Sequence, residues 1–254
     1  MPTIQDKLYF NFDKVWSNQF NLVNVVLDSS MFDDALVASR SINETESRGK
    51  KPMLNRVDES PLEFEMNLAF EGTYTDEKLD NVVRWLFADY YRPLYFQGKE
   101  DKVFMAMMIG DPRLVHNGLK QGYITVTVRC DSPYVYSPTI TSPLTTVTTN
   151  STITIQNDGH FEIYPEISIL KNGNGVITIE SLDDDGNIFE IRDLTNQEDI
   201  YLNCEKEIIE TDIIGVYRYD KLIGHFPRML TGQNRFKVTG ACDIQFRYKK
   251  VYRF

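Results

Sequence analysis

The chain of 254 residues is 42% hydrophobic and 25% charged, which excludes intrinsic disorder and suffices for a core without disulfide or metal staples. Its formal net charge of -10, from 27 basic and 37 acidic side chains, argues against a protein that grips nucleic acid, because neutralising phosphates takes clustered Lys and Arg. No run approaches the roughly 20 apolar residues that cross a bilayer, so no membrane insertion is expected, and the opening Met1-Pro-Thr-Ile-Gln-Asp-Lys7 lacks the basic-then-apolar order of a secretory signal.

In chain order, the short aromatic segment Leu8 to Phe12 reads as a strand. Residues 40–60 are polar, mixed in charge and poor in core-formers. They read as a long surface loop, or as an arm that orders against a neighbouring subunit. From Leu62 to Phe70, the residues Leu62, Phe64, Met66, Leu68 and Phe70 alternate with Glu63, Glu65, Asn67 and Ala69, the pattern of a half-buried strand. One long helix follows. Thr75 is its N-cap candidate, and Asp76 and Glu77 stand near the positive end of its dipole. Leu79, Val82, Val83, Leu86, Phe87 and Tyr90 recur at helical spacing and form one apolar stripe. Trp85 lies off that stripe and is expected to pack on a neighbour. Arg92-Pro93 is expected to end the helix, since the residue before proline avoids helical torsions. Tyr123 to Cys130 is again a strand, with Ile124, Val126, Val128 and Cys130 on one face and Thr125, Thr127 and Arg129 on the other.

Between Asp131 and Leu144, Pro133, Pro138 and Pro143 stand among Ser, Thr and Tyr. This stretch reads as a linker and divides the chain into domains 1–137 and 138–254. The first holds 15 basic and 20 acidic side chains, leaving 12 and 17 for the second, so neither is a basic nucleic-acid module. In the second domain, segments such as Thr152 to Gln156 and Val176 to Ser181 alternate with turns at Asn157-Asp-Gly159, Asn172-Gly-Asn-Gly175 and Asp183-Asp-Asp-Gly-Asn187. Short strands with frequent turns and no helix stripe indicate a β-sandwich.

The residue types that carry chemistry do not assemble in sequence. Cys130, Cys204 and Cys242 are far apart and odd in number, as expected of reduced, buried thiols. His116, His160 and His225 are not paired at metal-ligand spacing. Asp183 to Asn187 looks like part of a calcium loop but fails as one. With Gly186 in the sixth position, the first ligand is Ser181 and the twelfth, which should be Glu, is Arg192. A hairpin turn is expected instead. Arg48-Gly-Lys-Lys51 lacks the spacing of a phosphate loop. Glu63 and Glu65 lie on the polar face of their strand. The aromatic and basic run Phe246 to Phe254 reads as a terminal strand rather than a single-strand binding surface, given the acidic domain around it. No catalytic residue, metal ligand or cofactor site is expected, and no enzyme.

The order of segments over nearly the whole chain resembles the distal tail proteins of long-tailed, non-contractile phages, chiefly those that infect Gram-positive bacteria. The resemblance rests on Leu8-Tyr-Phe-Asn-Phe12, the polar segment around Ser47-Arg-Gly49, the strand Leu62 to Phe70, Val83-Arg-Trp-Leu86, Pro93-Leu-Tyr-Phe96, Met105 to Gly110, and Tyr123 to Ser132. In the second half it rests on Ile155-Gln-Asn-Asp-Gly159 leading to Tyr164-Pro-Glu-Ile167, on Phe226-Pro-Arg-Met-Leu-Thr-Gly-Gln-Asn-Arg-Phe236, and on Val238-Thr-Gly240.

The resemblance implies a mainly β fold with one long helix. The first domain would be a split β-barrel with a flanking helix, like tail-tube proteins, and the second a galectin-like β-sandwich. It implies a member without the inserted carbohydrate-binding module of some relatives. It also implies a structural virion protein at the distal tail, made and assembled in the host cytoplasm. That protein would form a homo-hexameric ring joining the tail tube to the tail-end (tail-associated) protein, with receptor-binding parts at its periphery and DNA only passing through its channel. The competing readings are a carbohydrate-binding module for host wall sugars and a wall-polymer hydrolase. The first expects sugar affinity in the second domain. Both tryptophans, Trp16 and Trp85, lie in the first half, so the second lacks the stacking platform a galectin-type sugar site uses.

Overall fold

The computed structural model describes residues 8–25, 38–46, 48–49 and 51–253. The chain forms two compact units, Met1–Tyr136 with Arg253–Phe254, and Ser137–Tyr252.

The strands of the first unit are β1 (Phe10–Phe12), β2 (Val15–Trp16), β3 (Leu22–Val25), β4 (Arg40–Thr45), β5 (Met53–Glu59), β6 (Glu63–Phe70), β7 (Arg92–Phe96), β8 (Phe104–His116), β9 (Gly122–Cys130) and β10 (Tyr134–Tyr136). Seven of them form one antiparallel sheet in the order β2-β1-β7-β8-β9-β6-β3. The sheet curls nearly closed. Leu8, just ahead of β1, exchanges backbone hydrogen bonds with Asn24 of the far edge strand at 3.4 and 3.0 Å. The alternation in sequence sets which face is inside. Met66, Leu68, Ile124, Val126, Val128 and Cys130 are buried, while Glu63, Glu65, Asn67, Thr125 and Thr127 take the outer face.

The helix α1 (Asp76–Leu86) sends Val82, Trp85 and Leu86 into the same core as the sheet. Thr75 caps it, its Oγ1 accepting from the Lys78 N–H at 3.2 Å. Thr75→Ala should therefore cost about 1 kcal/mol of stability; an unchanged urea midpoint would show that the cap contributes nothing. Two expectations are corrected here. The helix ends at Leu86, well before Arg92-Pro93, because Phe87 leaves helical torsions (φ -100°, ψ 73°). Of the expected stripe, Leu79, Val82, Leu86 and Phe87 do pack into the core, and Trp85 joins them, whereas Val83 is 47% and Tyr90 60% exposed. Trp85 packs on its own chain, stacked between Phe10 (5.7 Å) and Phe20 (4.8 Å), and its Nε1 donates to the Phe12 carbonyl at 2.9 Å. An indole spans more than one position of a helical stripe, so an off-stripe position still reaches the core.

Within the stretch 40–60, expected as a loop or arm, β4 and β5 form an antiparallel ribbon that joins no other sheet among the described residues.

The second unit carries β11 (Ile140–Thr141), β12 (Thr145–Val147), β13 (Asn150–Asn157), β14 (Glu166–Lys171), β15 (Gly175–Ser181), β16 (Asn187–Leu194), β17 (Asp199–Asn203), β18 (Ile208–Thr211), β19 (Leu222–Gly224), β20 (Gly232–Thr239) and β21 (Cys242–Tyr248). They form two sheets, β11-β21-β14-β17-β18 with β12 also on β21, and β13-β20-β15-β16-β19. Their inner faces meet in an aliphatic core that includes Ile167, Ile169, Ile179, Ile191, Ile200 and Ile244, with Phe236 stacked on Phe246 at 5.2 Å. The chain passes from one sheet to the other between β20 and β21 at Gly240. Its φ of +107° and the Val176 carbonyl 2.4 Å from where a Cβ would lie leave room for glycine alone. The proline-rich stretch is not a free tether. Thr141 pairs with Arg247, and the Ser142 N–H donates to Phe246 at 2.8 Å.

Candidate functional site

No group of three His, Cys, Asp or Glu side chains able to hold a metal forms among the described residues. His116 lies edge-on to Tyr74, His160 edge-on to Tyr252, and the His225 backbone N–H donates to Ile188 at 3.0 Å. All three cysteines are buried and free. Burial pushes the thiols of Cys130 and Cys204 up to about 12, and that of Cys242 up to about 11. They remain protonated at neutral pH and are poor nucleophiles and poor ligands. The acidic turn is held by arginines. Arg235 contacts Asp183 at 2.7 Å and Arg228 contacts Asp184 at 2.8 Å, and these bonds hold both carboxyls below their ordinary range. Asp185 and Gly186 both have positive φ, 50° and 69°, as a tight hairpin turn requires.

The segments that carry the family resemblance turn out to hold the sandwich together. Asn157 Nδ2 donates to the carbonyls of Phe161 (2.9 Å) and Leu230 (3.2 Å), while its Oδ1 accepts from the Gly159 N–H at 3.0 Å. Asn234, the asparagine of the Gly-x-Asn segment, bonds both the N–H (2.7 Å) and the carbonyl (2.8 Å) of Leu230. Two buried amides thus pin the Phe226 to Gly232 segment, whose Met229 is fully buried. In the first unit, Trp85, Leu86 and Leu94 are likewise core residues. These motifs specify the fold, not a reaction.

What remains is surface, and in the first unit three features stand out. The ribbon exposes apolar side chains on both faces, Met53 (70% exposed) lying opposite Thr45 on one of them. Ile42 lies opposite Val57, with Leu54 beyond them opposite Glu44, and they are 66%, 39% and 57% exposed. On the other face, Asn55 Nδ2 bonds Asn43 (3.0 Å) and Thr45 (2.8 Å). An irregularity between Asn43 and Glu44 breaks the period of two, which is why the sequence reads as a polar loop. The second feature is the far end of the β8–β9 hairpin. Register shifts between Ile109 and Arg113 and open a shallow cavity of about 310 Å³ lined in part by Glu65, Asp111, Arg113, Val115 and Tyr123. The third is the outer face of β6 and β9. Arg129 pairs with Glu63, and Thr125 donates to Asn67 at 2.8 Å, so this face has no cluster of unpaired cations.

Residues 5–132 match the family model described as the phage tail protein N-terminal domain, and residues 134–248 match the phage tail C-terminal domain. Over 251 residues the chain is 30% identical to the SPbeta prophage-derived protein YomH of Bacillus subtilis strain 168, covering 98% of this chain and 99% of that one. The fold matches the crystal structure of the Dit protein (gp 19.1) of phage SPP1 with a TM-score of 0.70 at 15% identity, over 95% of this chain and 98% of that one. The SPP1 protein is described as a paradigm of the hub adsorption apparatus in phages that infect Gram-positive bacteria. The chain belongs to the phage tail protein family, and it is a structural protein of the virion tail with the fold of a distal tail protein.

Proposed function

We propose that six copies form a ring at the distal end of the tail. The ring joins the tail tube to the tail-end protein, leaves a channel for DNA, and offers its periphery to host-adsorption parts. Residues 1–137 close the ring, and residues 138–254 stand outside it as a scaffold. Assembly takes place in the host cytoplasm, and no reaction is catalysed.

The observation that carries this reading is the β4–β5 ribbon. An isolated two-stranded ribbon is marginal in water, and this one exposes Ile42, Met53, Leu54 and Val57 as well. Covering Ile42, Leu54 and Val57 with a neighbouring copy removes that cost. Head-to-tail contacts form a ring when the rotation between neighbours closes. The outer face of β6 and β9 suits a channel wall, because Glu63, Glu65 and a single paired Arg129 give phosphates nothing to hold.

Electron microscopy of the purified protein should show six-fold rings, and sedimentation should give six times the monomer mass. Replacing residues 41–58 with a short Gly-Ser turn should shift the population to monomers. Unchanged rings in that variant, or a monomeric parent chain that stays monomeric on the tail tube, would refute the proposal.

A further inference from the structure

The loop between β18 and β19 displays the most exposed large apolar side chain among the described residues. Ile214 is 99% exposed, Tyr217 81% and Tyr219 49%, and Ile223 of the adjoining β19 is 44% exposed. Such exposure contributes nothing to the stability of the chain by itself. Yet the loop is firmly held. Arg218 turns inward from it and donates to Glu198 through Nε (2.8 Å) and Nη2 (2.7 Å), and through Nη1 to the Asp193 carbonyl (3.2 Å). Tyr219 Oη accepts from the Ile209 N–H at 3.1 Å. The Val216 N–H donates to Ile213 at 3.2 Å across Gly215, whose φ is +78°. A clamped loop that presents isoleucine and tyrosine outward has the form of a knob. Its surroundings are acidic. Glu210, Asp212 and Asp220 are exposed, and the nearby cation Lys221 is paired with Asp193 at 3.0 Å.

We propose that Ile214 and Tyr217 dock into an apolar socket with a basic rim on a different protein of the tail, one present in several copies. Size and charge choose this occupant. A stable interface between two proteins buries about 800 Å² on each side, more than a knob of four side chains offers, so one knob holds nothing durably. Six knobs on a ring engage a multimeric partner together, and each contact raises the effective concentration for the next. A second copy of this chain is disfavoured because the whole chain carries a net charge of -10, and like charges repel across an interface. The inference rests on the ring reading above.

The test uses full-length chain in tails of the phage that encodes it. Tyr217 is replaced by the photo-crosslinker p-benzoylphenylalanine, the tails are irradiated, and the adducts are identified by mass spectrometry. The expected adduct is with one other tail protein, at an apolar site flanked by Lys or Arg. Tails built with Ile214→Asp and Tyr217→Ser should lack that protein, while the purified variant forms the same rings as the parent and melts within about 2 °C of it. Adducts only with other copies of this chain, adducts with nothing, or variant tails with a full complement of proteins would overturn the knob. Sedimentation of the parent chain separates the two readings. If it forms rings but the crosslink is missing, the knob alone fails. If it forms no ring on any partner, the ring reading fails and takes the multivalent argument with it.

Discussion

Arg218→Met should destabilise the second unit by about 3–5 kcal/mol at neutral pH, the usual cost of leaving a buried charge unpaired. The Glu198 side chain is fully buried and that of Arg218 is 8% exposed. Besides Arg218, Glu198 accepts from the Thr195 N–H at 2.9 Å and from the Thr211 hydroxyl at 2.8 Å. Burial pushes its carboxyl up, but Arg218 and these donors outweigh burial and hold it below its ordinary value of 4.5. A carboxyl depressed on folding lends stability that is complete above its unfolded value and is lost as pH falls through the folded one. In the native chain the contribution is therefore present above about pH 4.5 and fades below it. In Arg218→Met the sign reverses. Burial without a counter-charge raises the carboxyl, so its cost persists at neutral pH and is relieved on acidification. The gap between the two proteins should narrow from pH 7 to pH 4. A gap independent of pH would mean that Arg218 acts through packing alone. Adding Glu198→Gln to Arg218→Met should recover part of the loss, since a neutral amide needs no counter-charge.

Trp85→Ala should cost about 3–5 kcal/mol in the first unit, as large aromatic truncations in cores do. The indole lies between Phe10 and Phe20, and its N–H satisfies the Phe12 carbonyl. Truncation opens a cavity and leaves that carbonyl unpaired. Trp85→Phe keeps an aromatic ring in the stack and loses the hydrogen bond, so it should cost about 1–2 kcal/mol. Equal effects from the two substitutions would show that the polar contact, not packing, dominates. The measurement has a built-in control. The chain's two tryptophans both lie in the first unit. Indole fluorescence therefore follows that unit alone, whereas far-ultraviolet circular dichroism follows both. Trp85→Phe leaves Trp16, which is edge-on to Tyr95 at 5.5 Å, as the reporter. Arg218→Met should move the dichroism transition and leave the fluorescence transition where it was.

How much was legible in sequence varies by element. The strands Glu63–Phe70 and Gly122–Cys130 show a strict period of two, and they face inward as that period requires. The helix was legible from Thr75 and its acidic first turn, because capping is a local interaction. Its far end was misplaced. Phe87, which packs against the core, leaves helical torsions, and no Gly or Pro marks the spot. The ribbon was hidden because an irregularity offsets its two strands and its apolar residues are few. Asn157 and Asn234 were visible as motif letters. Their role was not, since each amide bonds backbone carbonyls brought close only by the sandwich.

The sequence by itself determined the fold class and the resemblance to distal tail proteins. These rest on composition, on periodicity and on the order of segments, which are properties of the chain as written. Tertiary structure alone decided where Trp85 goes, that Arg218 meets Glu198, and that Ile214 and Tyr217 are left outside. Each depends on residues from different strands and loops converging in space. Hydrogen bonds and burial act over a few ångströms, and spacing along the chain does not report such distances.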